Sequence, residues 1–189
     1  MEKNDLAARA KKGDKKAFEA LVEKYHDELY YTALGITRSG WDALDICQDT
    51  FLKAFSTINT LKDTSQFGVW INRILINKCR DFFRKNKKVV VVEKMEEEGF
   101  MENFGEDCID LANALSTLSD EHREVLILRY FHDKPLKEIA AIVGCPEGTV
   151  KSRLSNGLKE MRRKLDNNKG KNKSDNNSDM TNNTGKGMI

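Results

Sequence analysis

Three groups of side chains have types and spacings that could do chemistry, and that chemistry is recognition. Between Val150 and Leu165, the residues Lys151, Ser152, Arg153, Ser155, Asn156 and Lys159 all carry hydrogen-bond donors, and no acid intervenes before Glu160. On one helix, such a set suits base edges and phosphate oxygens. Arg73, Asn77, Arg80 and Arg84 recur at i, i+4, i+7 and i+11, with Asp81 the one acid among them and Lys85, Lys87 and Lys88 beyond. A cationic rail of this kind is what a phosphate backbone needs. Asn77 adds an amide with two donors and an acceptor, equipment for the edge of an unstacked base. The third group has the opposite sign: Asp42, Asp45, Gln48 and Asp49, with no base until Lys53. Carboxylates so close on one helix repel slightly, a small cost unless something basic meets them.

Catalytic constellations are missing from the sequence. It has no phosphate-cradling Gly-rich motif, no H-E-x-x-H, and no Ser or Cys with an evident base. Cys47, Cys79, Cys108 and Cys145 form no C-x-x-C pair, and His26, His122 and His132 stand at no ligand spacing. Reduced, scattered thiols are the expectation, with no metal and no cofactor. Two alternatives stay open on the residues alone. One is a helix-turn-helix regulator; the other is a metal-dependent DNA-processing enzyme using Asp42, Asp45 and Asp49, although carboxylates along one exposed helix face rarely converge on a point.

The elements that position these groups are helices. From Lys134 to Leu165 the pattern is a helical hairpin. Leu136, Ile139, Ala140 and Val143 make one apolar stripe, Gly144 ends the first helix, and Pro146 begins the second. Val150, Leu154, Leu158, Met161 and Leu165 are expected to face inward, with small Ala140 at the helix crossing. A short support helix presenting a donor-rich helix is the geometry that reads a DNA major groove. The rail lies on a helix whose other face carries Phe67, Trp70, Ile71, Ile74, Leu75, Cys79, Phe82 and Phe83. Asp63 with Gln66 resembles a capping box at its start. The acidic residues lie on a helix from about Trp41 to Phe55, whose expected buried side is Leu44, Cys47, Phe51, Leu52 and Phe55. Before it, a helix from Ala17 runs to the break at Arg38-Ser39-Gly40, preceded by a short polar helix that frays.

At 189 residues the chain could hold one large or two small domains, and 33% of it is charged with a net charge of only +2. Any nucleic-acid surface is therefore a local patch. Two prolines and long 3.6-period stretches predict an all-α protein of two small helical domains joined by a flexible acidic linker, the second ending in a helix-turn-helix. The expected divisions are an N-terminal domain over 1–90, a linker over 91–110, a helix-turn-helix domain over 111–165 and a disordered tail over 166–189. Val89–Val92 reads equally as a strand or an extended connector. From Glu93 to Asp110 there are eight acids and one base, too little apolar surface to pack alone. No apolar run approaches the roughly 20 residues that span a bilayer, and no secretory signal is evident. The expectation is a soluble, cytoplasmic protein with no direct membrane insertion.

Several stretches resemble one family. Lys12-Gly13-Asp14, Ala17-Phe18 and Leu21-Val22 are similar to the opening of bacterial sigma factors of the extracytoplasmic-function group. Asp42-Ala43-Leu44-Asp45-Ile46-Cys47-Gln48-Asp49-Thr50-Phe51 resembles their core-polymerase-binding helix. Phe67-Gly68-Val69-Trp70-Ile71, running to Asn77, Asp81 and Arg84, resembles their promoter −10 helix. Leu118-Ser119-Asp120 to Leu128-Arg129, Glu138-Ile139-Ala140 and Pro146-Glu147-Gly148-Thr149-Val150-Lys151-Ser152-Arg153-Leu154 resemble their −35-reading domain. Cys47 and Gly68 depart from the usual residues without removing a functional group. The resemblance implies an alternative sigma factor, serving a stress or envelope response. Asp42, Asp45, Gln48 and Asp49 would bind core RNA polymerase. Leu61, Arg73, Asn77, Arg80 and Arg84 would meet single-stranded −10 DNA. Thr149, Lys151, Ser152, Arg153, Ser155 and Asn156 would meet −35 duplex. It also implies an anti-sigma partner, anchored in the membrane.

Overall fold

A computed structural model describes residues 3–86, 115 and 117–175. Val89–Val92, the linker at 91–110 and the end of the tail lie outside these residues. Seven α-helices are described: α1 (Lys3–Lys11), α2 (Lys15–Thr37), α3 (Gly40–Thr57), α4 (Phe67–Asn86), α5 (Asp120–Tyr130), α6 (Leu136–Val143) and α7 (Glu147–Asp175). Among the described residues there is no strand, in keeping with the all-α expectation.

Helix boundaries follow from local chemistry. Asp14 caps α2 by accepting from the Ala17 amide at 3.1 Å. Hydrogen bonding from Arg9, with help from that amide, holds the Asp14 carboxyl below the usual carboxylate range. Arg38 ends α2 in the left-handed region at φ 65°, and Ser39 caps α3 by accepting from the Asp42 amide at 3.2 Å. Far from fraying freely, α1 buries Leu6, Ala7 and Ala10. Between α3 and α4 lie two 3-10 turns, Ile58–Thr60 and Thr64–Gln66, the second capped by Asp63.

The facing of α3 corrects the sequence expectation. Its buried side is Ala43, Ile46, Cys47, Thr50 and Ala54, while Leu44, Leu52 and Phe55 are exposed. Both sets have helical spacing. The small residues win because α3 lies against both α2 and α4, and Ala43 and Ala54, fully buried, let the backbones approach. In α4 the expected stripe is buried at Phe67, Ile71, Leu75 and Cys79, joined by Ile76 and the polar Asn72.

In the second half Ser119 caps α5, and Gly144 ends α6 at φ 76°, where glycine avoids the steric cost of a Cβ. Pro146 sits just ahead of α7, its carbonyl accepting from the Thr149 and Val150 amides at 2.9 and 3.1 Å. A further close approach is at Gly157, where α7 crosses α5: a Cβ there would come within 3.0 Å of Leu126 and 3.2 Å of the His122 Cβ. Leu158, expected inside, is exposed. Helix α7 continues to Asp175, well past the expected end at Leu165. Helix α5 is buried nearly all round, at Val125, Leu126, Ile127 and Leu128 and also at Arg123 and Glu124. The cause is contact with α2 on one side and with α6 and α7 on the other.

Candidate protein and nucleic-acid interfaces

The outward face of α3 is mixed in character. Asp45, Gln48 and Asp49 are exposed and Asp42 is half-buried. Between them stand Trp41, 73% exposed, with Leu44, Leu52 and Phe55. Positions 41, 44, 45, 48, 52 and 55 form one continuous helical stripe. Large apolar side chains interleaved with carboxylates are the composition of a protein-docking patch rather than of a solvated ridge. Trp41, Leu44, Leu52 and Phe55 are the residues that sequence reasoning missed; the signal was the alternative stripe of small residues beside them. Asp49 is already engaged, accepting from Lys78 Nζ of α4 at 2.7 Å. Among the described residues, no group of three or more His, Cys, Asp and Glu comes together as a metal site.

Along α4 the rail divides. Arg73 and Asn77 are exposed, and Asn77 bonds to nothing among the described residues. Arg84 is exposed and pairs with Asp81 at 2.8 Å. Arg80 is different. Its Nε and Nη2 donate to the two carboxylate oxygens of Glu124 at 2.9 and 2.6 Å, and its Nη1 donates to the Val143 carbonyl at 3.2 Å. Burial pushes the Glu124 carboxyl up from its ordinary value against the pull of Arg80, while donating to that carboxylate raises the Arg80 guanidinium. Leu61, implied by the resemblance as a DNA contact, is a correction: it is 5% exposed, in the core. Its carbonyl accepts from Lys11 Nζ at 2.6 Å, and its side chain presents nothing to a strand.

On α7 the outward set is Lys151, Ser152, Ser155 and Asn156, all exposed, with Thr149 half-buried. Ser152 Oγ donates to the Thr149 carbonyl at 2.9 Å. Arg153 is more enclosed than its neighbours: flanking the inward stripe of Val150 and Leu154, its side chain is 18% exposed and pairs with Glu121 of α5 at 2.8 Å.

Other polar residues that join the two halves carried no sequence signal. Glu28 of α2 accepts from Asn72 Nδ2 at 2.8 Å and from Lys134 Nζ at 2.8 Å. Burial raises its carboxyl, but the bonds from Lys134 and Asn72 outweigh that and leave it lowered. Arg123 Nη1 donates to the Ile36 carbonyl at 3.0 Å. Thr32 Oγ1 donates to the Glu28 carbonyl at 2.7 Å, so its contact with His132 Nε2, also 2.7 Å, requires the proton on that ring nitrogen.

Comparison with known proteins converges on one family. The family models for sigma-70 region 2 and sigma-70 region 4 match residues 21–89 and 114–163. The chain is 35% identical over 147 residues to RNA polymerase sigma factor SigV of Bacillus subtilis, covering 76% of this chain and 88% of that protein. It is 28% identical over 172 residues to the ECF RNA polymerase sigma factor SigW of the same organism, covering 82% and 92%. Among solved structures, the sigma factor RpoE in complex with the anti-sigma factor NepR from Bartonella quintana superposes with a TM-score of 0.70 at 28% identity, over 80% of this chain and 98% of that one. CnrH in complex with the cytosolic domain of CnrY gives 0.69 at 26% identity, over 87% and 97%. With both regions matched in order along a single helical chain, this protein belongs to the sigma-70 family of RNA polymerase sigma factors, in its extracytoplasmic-function group.

Proposed function

We propose that three surfaces divide the work of an alternative sigma factor that binds core RNA polymerase and directs it to specific promoters. The mixed face of α3 docks on the polymerase: its apolar residues supply the buried area, and Asp42, Asp45 and Gln48 pair with a basic surface, Asp49 after release from Lys78. Arg73, Arg80 and Arg84 hold phosphates of the separated −10 strand while Asn77 reads a base. Lys151, Ser152, Ser155 and Asn156 of α7 read the −35 duplex, with Thr149 at its entry. The division of the chain follows: 1–90 for polymerase and −10, 91–110 as tether, 111–165 for −35. An anti-sigma protein, as in the RpoE complex, is the expected negative partner, with a membrane-anchored form the version the resemblance implies. The work is done in the cytoplasm; among the described residues no helix is long and apolar enough to cross a membrane.

The observation that carries this reading is the exposed apolar stripe of α3 between its carboxylates, on the same chain as the two donor-rich helices. A regulator acting without core polymerase has no use for such a stripe beside a −10 rail. Cleavage of DNA by metal ions is disfavoured because Asp42, Asp45 and Asp49 run along one helix face and Asp49 pairs with Lys78. The test supplies core polymerase with this protein and a pool of random templates, then sequences the DNA upstream of each start. A shared two-element pattern is the expected result; starts without a shared upstream pattern contradict it.

A further inference from the structure

A basic corner that the three surfaces leave unused lies at the turn between α1 and α2. Lys11, Lys12, Lys15 and Lys16 bracket Gly13 and Asp14 there, and all four are exposed. Gly13 takes φ 94°, the left-handed region that glycine enters without a Cβ penalty, so the chain turns sharply between the two lysine pairs. Lys11 ties the corner to the loop before α4. Its Nζ donates to the Leu61 carbonyl at 2.6 Å, and exposed Lys62 follows directly. Helix α1 also lies against both 3-10 turns of that loop.

The neighbouring acids do not cancel this charge. Asp14 is matched by Arg9, whose Nε and Nη2 donate to it at 3.0 and 2.7 Å, and its other oxygen caps α2. Asp63 accepts from the Ser65 amide at 2.9 Å. Glu19, one turn beyond Lys15, is exposed and pairs with none of the lysines. The side chains of Lys12, Lys15, Lys16 and Lys62 thus have no ion pair or hydrogen bond among the described residues. In a chain whose net charge is +2, four unpaired cations at one corner are a local concentration. Like charges so placed repel one another, and an anion recovers that cost.

Position identifies the anion. From Arg73 to Arg84 the rail covers about 16 Å of helix, the length of about five stacked nucleotides. At Asn86 the chain leaves α4 toward the −35-reading half, so the Arg84 end of the rail faces that side of the promoter. The opposite end, at Phe67, abuts the loop that carries Lys62 and packs on α1. A strand laid along the rail leaves it there, on the side of the transcription start.

We propose that Lys12, Lys15, Lys16 and Lys62 form a second phosphate-binding surface, which holds the nucleotides on the start-site side of the −10 segment without reading their sequence. Lysine suits that task, because a point charge on a flexible stem follows a backbone and specifies no base. This rests on the reading of α4 as the −10 rail.

The test uses holoenzyme assembled from core polymerase and the full chain, with fork templates measured across a salt series. The single-stranded −10 segment either ends at the element or continues in mixed sequence toward the start. Lys12→Gln, Lys15→Gln, Lys16→Gln and Lys62→Gln are combined in one variant; Lys11 is spared because it bridges to Leu61. The variant is expected to match wild type on the short template and to bind the long one more weakly. Its salt slope on the long template should fall by about 2–3, the sum of four phosphate contacts to a single strand. Uncharged methylphosphonate linkages in the extension should cost wild type more affinity than they cost the variant. A wild-type slope in the variant overturns the second surface, as do equal losses on both templates or equal methylphosphonate costs. Weakened association with core in a pull-down also overturns it and assigns the corner to an acidic face of the polymerase. Arg73→Gln on the short template separates the two failures. If it binds as wild type, the −10 reading of α4 falls and the second surface with it. If it binds weakly while the lysine variant is unaffected on the long template, only the second surface falls.

Discussion

Asn77 stands exposed on α4, one turn from Arg73 and three residues from Arg80, so neighbours placed to hold phosphates flank its amide. An asparagine costs helix propensity relative to alanine, and no partner within the described residues explains it. Asn77→Ala is expected to keep core binding and −35 recognition and to impair promoter opening by about 1–3 kcal/mol, the scale of one lost base contact. Permanganate footprinting on duplex and pre-melted −10 templates reads this. Wild-type affinity for the pre-melted strand, with a defect confined to duplex, contradicts base capture. His132 supports a second residue-scale expectation. Burial holds its pKa below the ordinary 6.5, Lys134 pushes the same way, and Glu28 opposes both. A depressed folded value means that the unfolded chain takes the proton first. The contribution of His132 to folded stability is therefore full above 6.5 and is lost as pH falls below it, ahead of the carboxylate range. Thermal unfolding from neutral pH downward should show this loss in the wild type and a smaller one in His132→Asn; equal slopes contradict it. The exposure of Lys151, Ser152, Ser155 and Asn156 on α7, and of Arg73, Asn77 and Arg84 on α4, was legible because charge and period coincide in a few turns. Glu124, Glu28, Asn72 and Arg123 were not, because their partners lie tens of residues away and nothing local distinguishes a buried polar side chain from a solvated one.

At the scale of elements, punctuation was legible and facing only partly so. Ser39, Ser119 and Gly144 act within a turn of themselves, and α3, α5 and α6 begin or end where those residues dictate. The facing of α3 depended on which of two stripes met α2 and α4, and the hydrophobic weight of Leu44, Leu52 and Phe55 pointed the wrong way. Small size at Ala43 and Ala54 decided it. The same exchange turns an acidic ridge into a mixed face, so both its acid and its apolar residues should matter for docking. Asp45→Lys combined with Leu52→Ser is expected to abolish association with core polymerase in a pull-down while moving thermal unfolding by less than about 0.5 kcal/mol, as befits exposed positions. Asp49 is a poorer probe, since its replacement by Lys would also face Lys78. Core association at the wild-type level in the double variant would remove α3 from the docking surface.

For the whole molecule, the all-α architecture and the order of the surfaces along the chain were legible, because each surface sits within one amphipathic helix. The contact between the halves was not. A helix such as α5, buried on nearly every side, has weak amphipathic periodicity, and the sequence reads it as an ordinary element carrying the chain toward the hairpin. With a net charge of only +2, the molecule relies on local basic surfaces and a partner polymerase, not on general attraction to DNA. The direct test of this account is run-off transcription by purified core polymerase on a cognate promoter, with and without the full chain. Defined transcripts from that promoter are expected only when the chain is present, and the Asp45→Lys, Leu52→Ser variant should fail to support them. Transcripts of equal yield and position without the chain, or none with it, would contradict the claim that this protein directs polymerase to promoters.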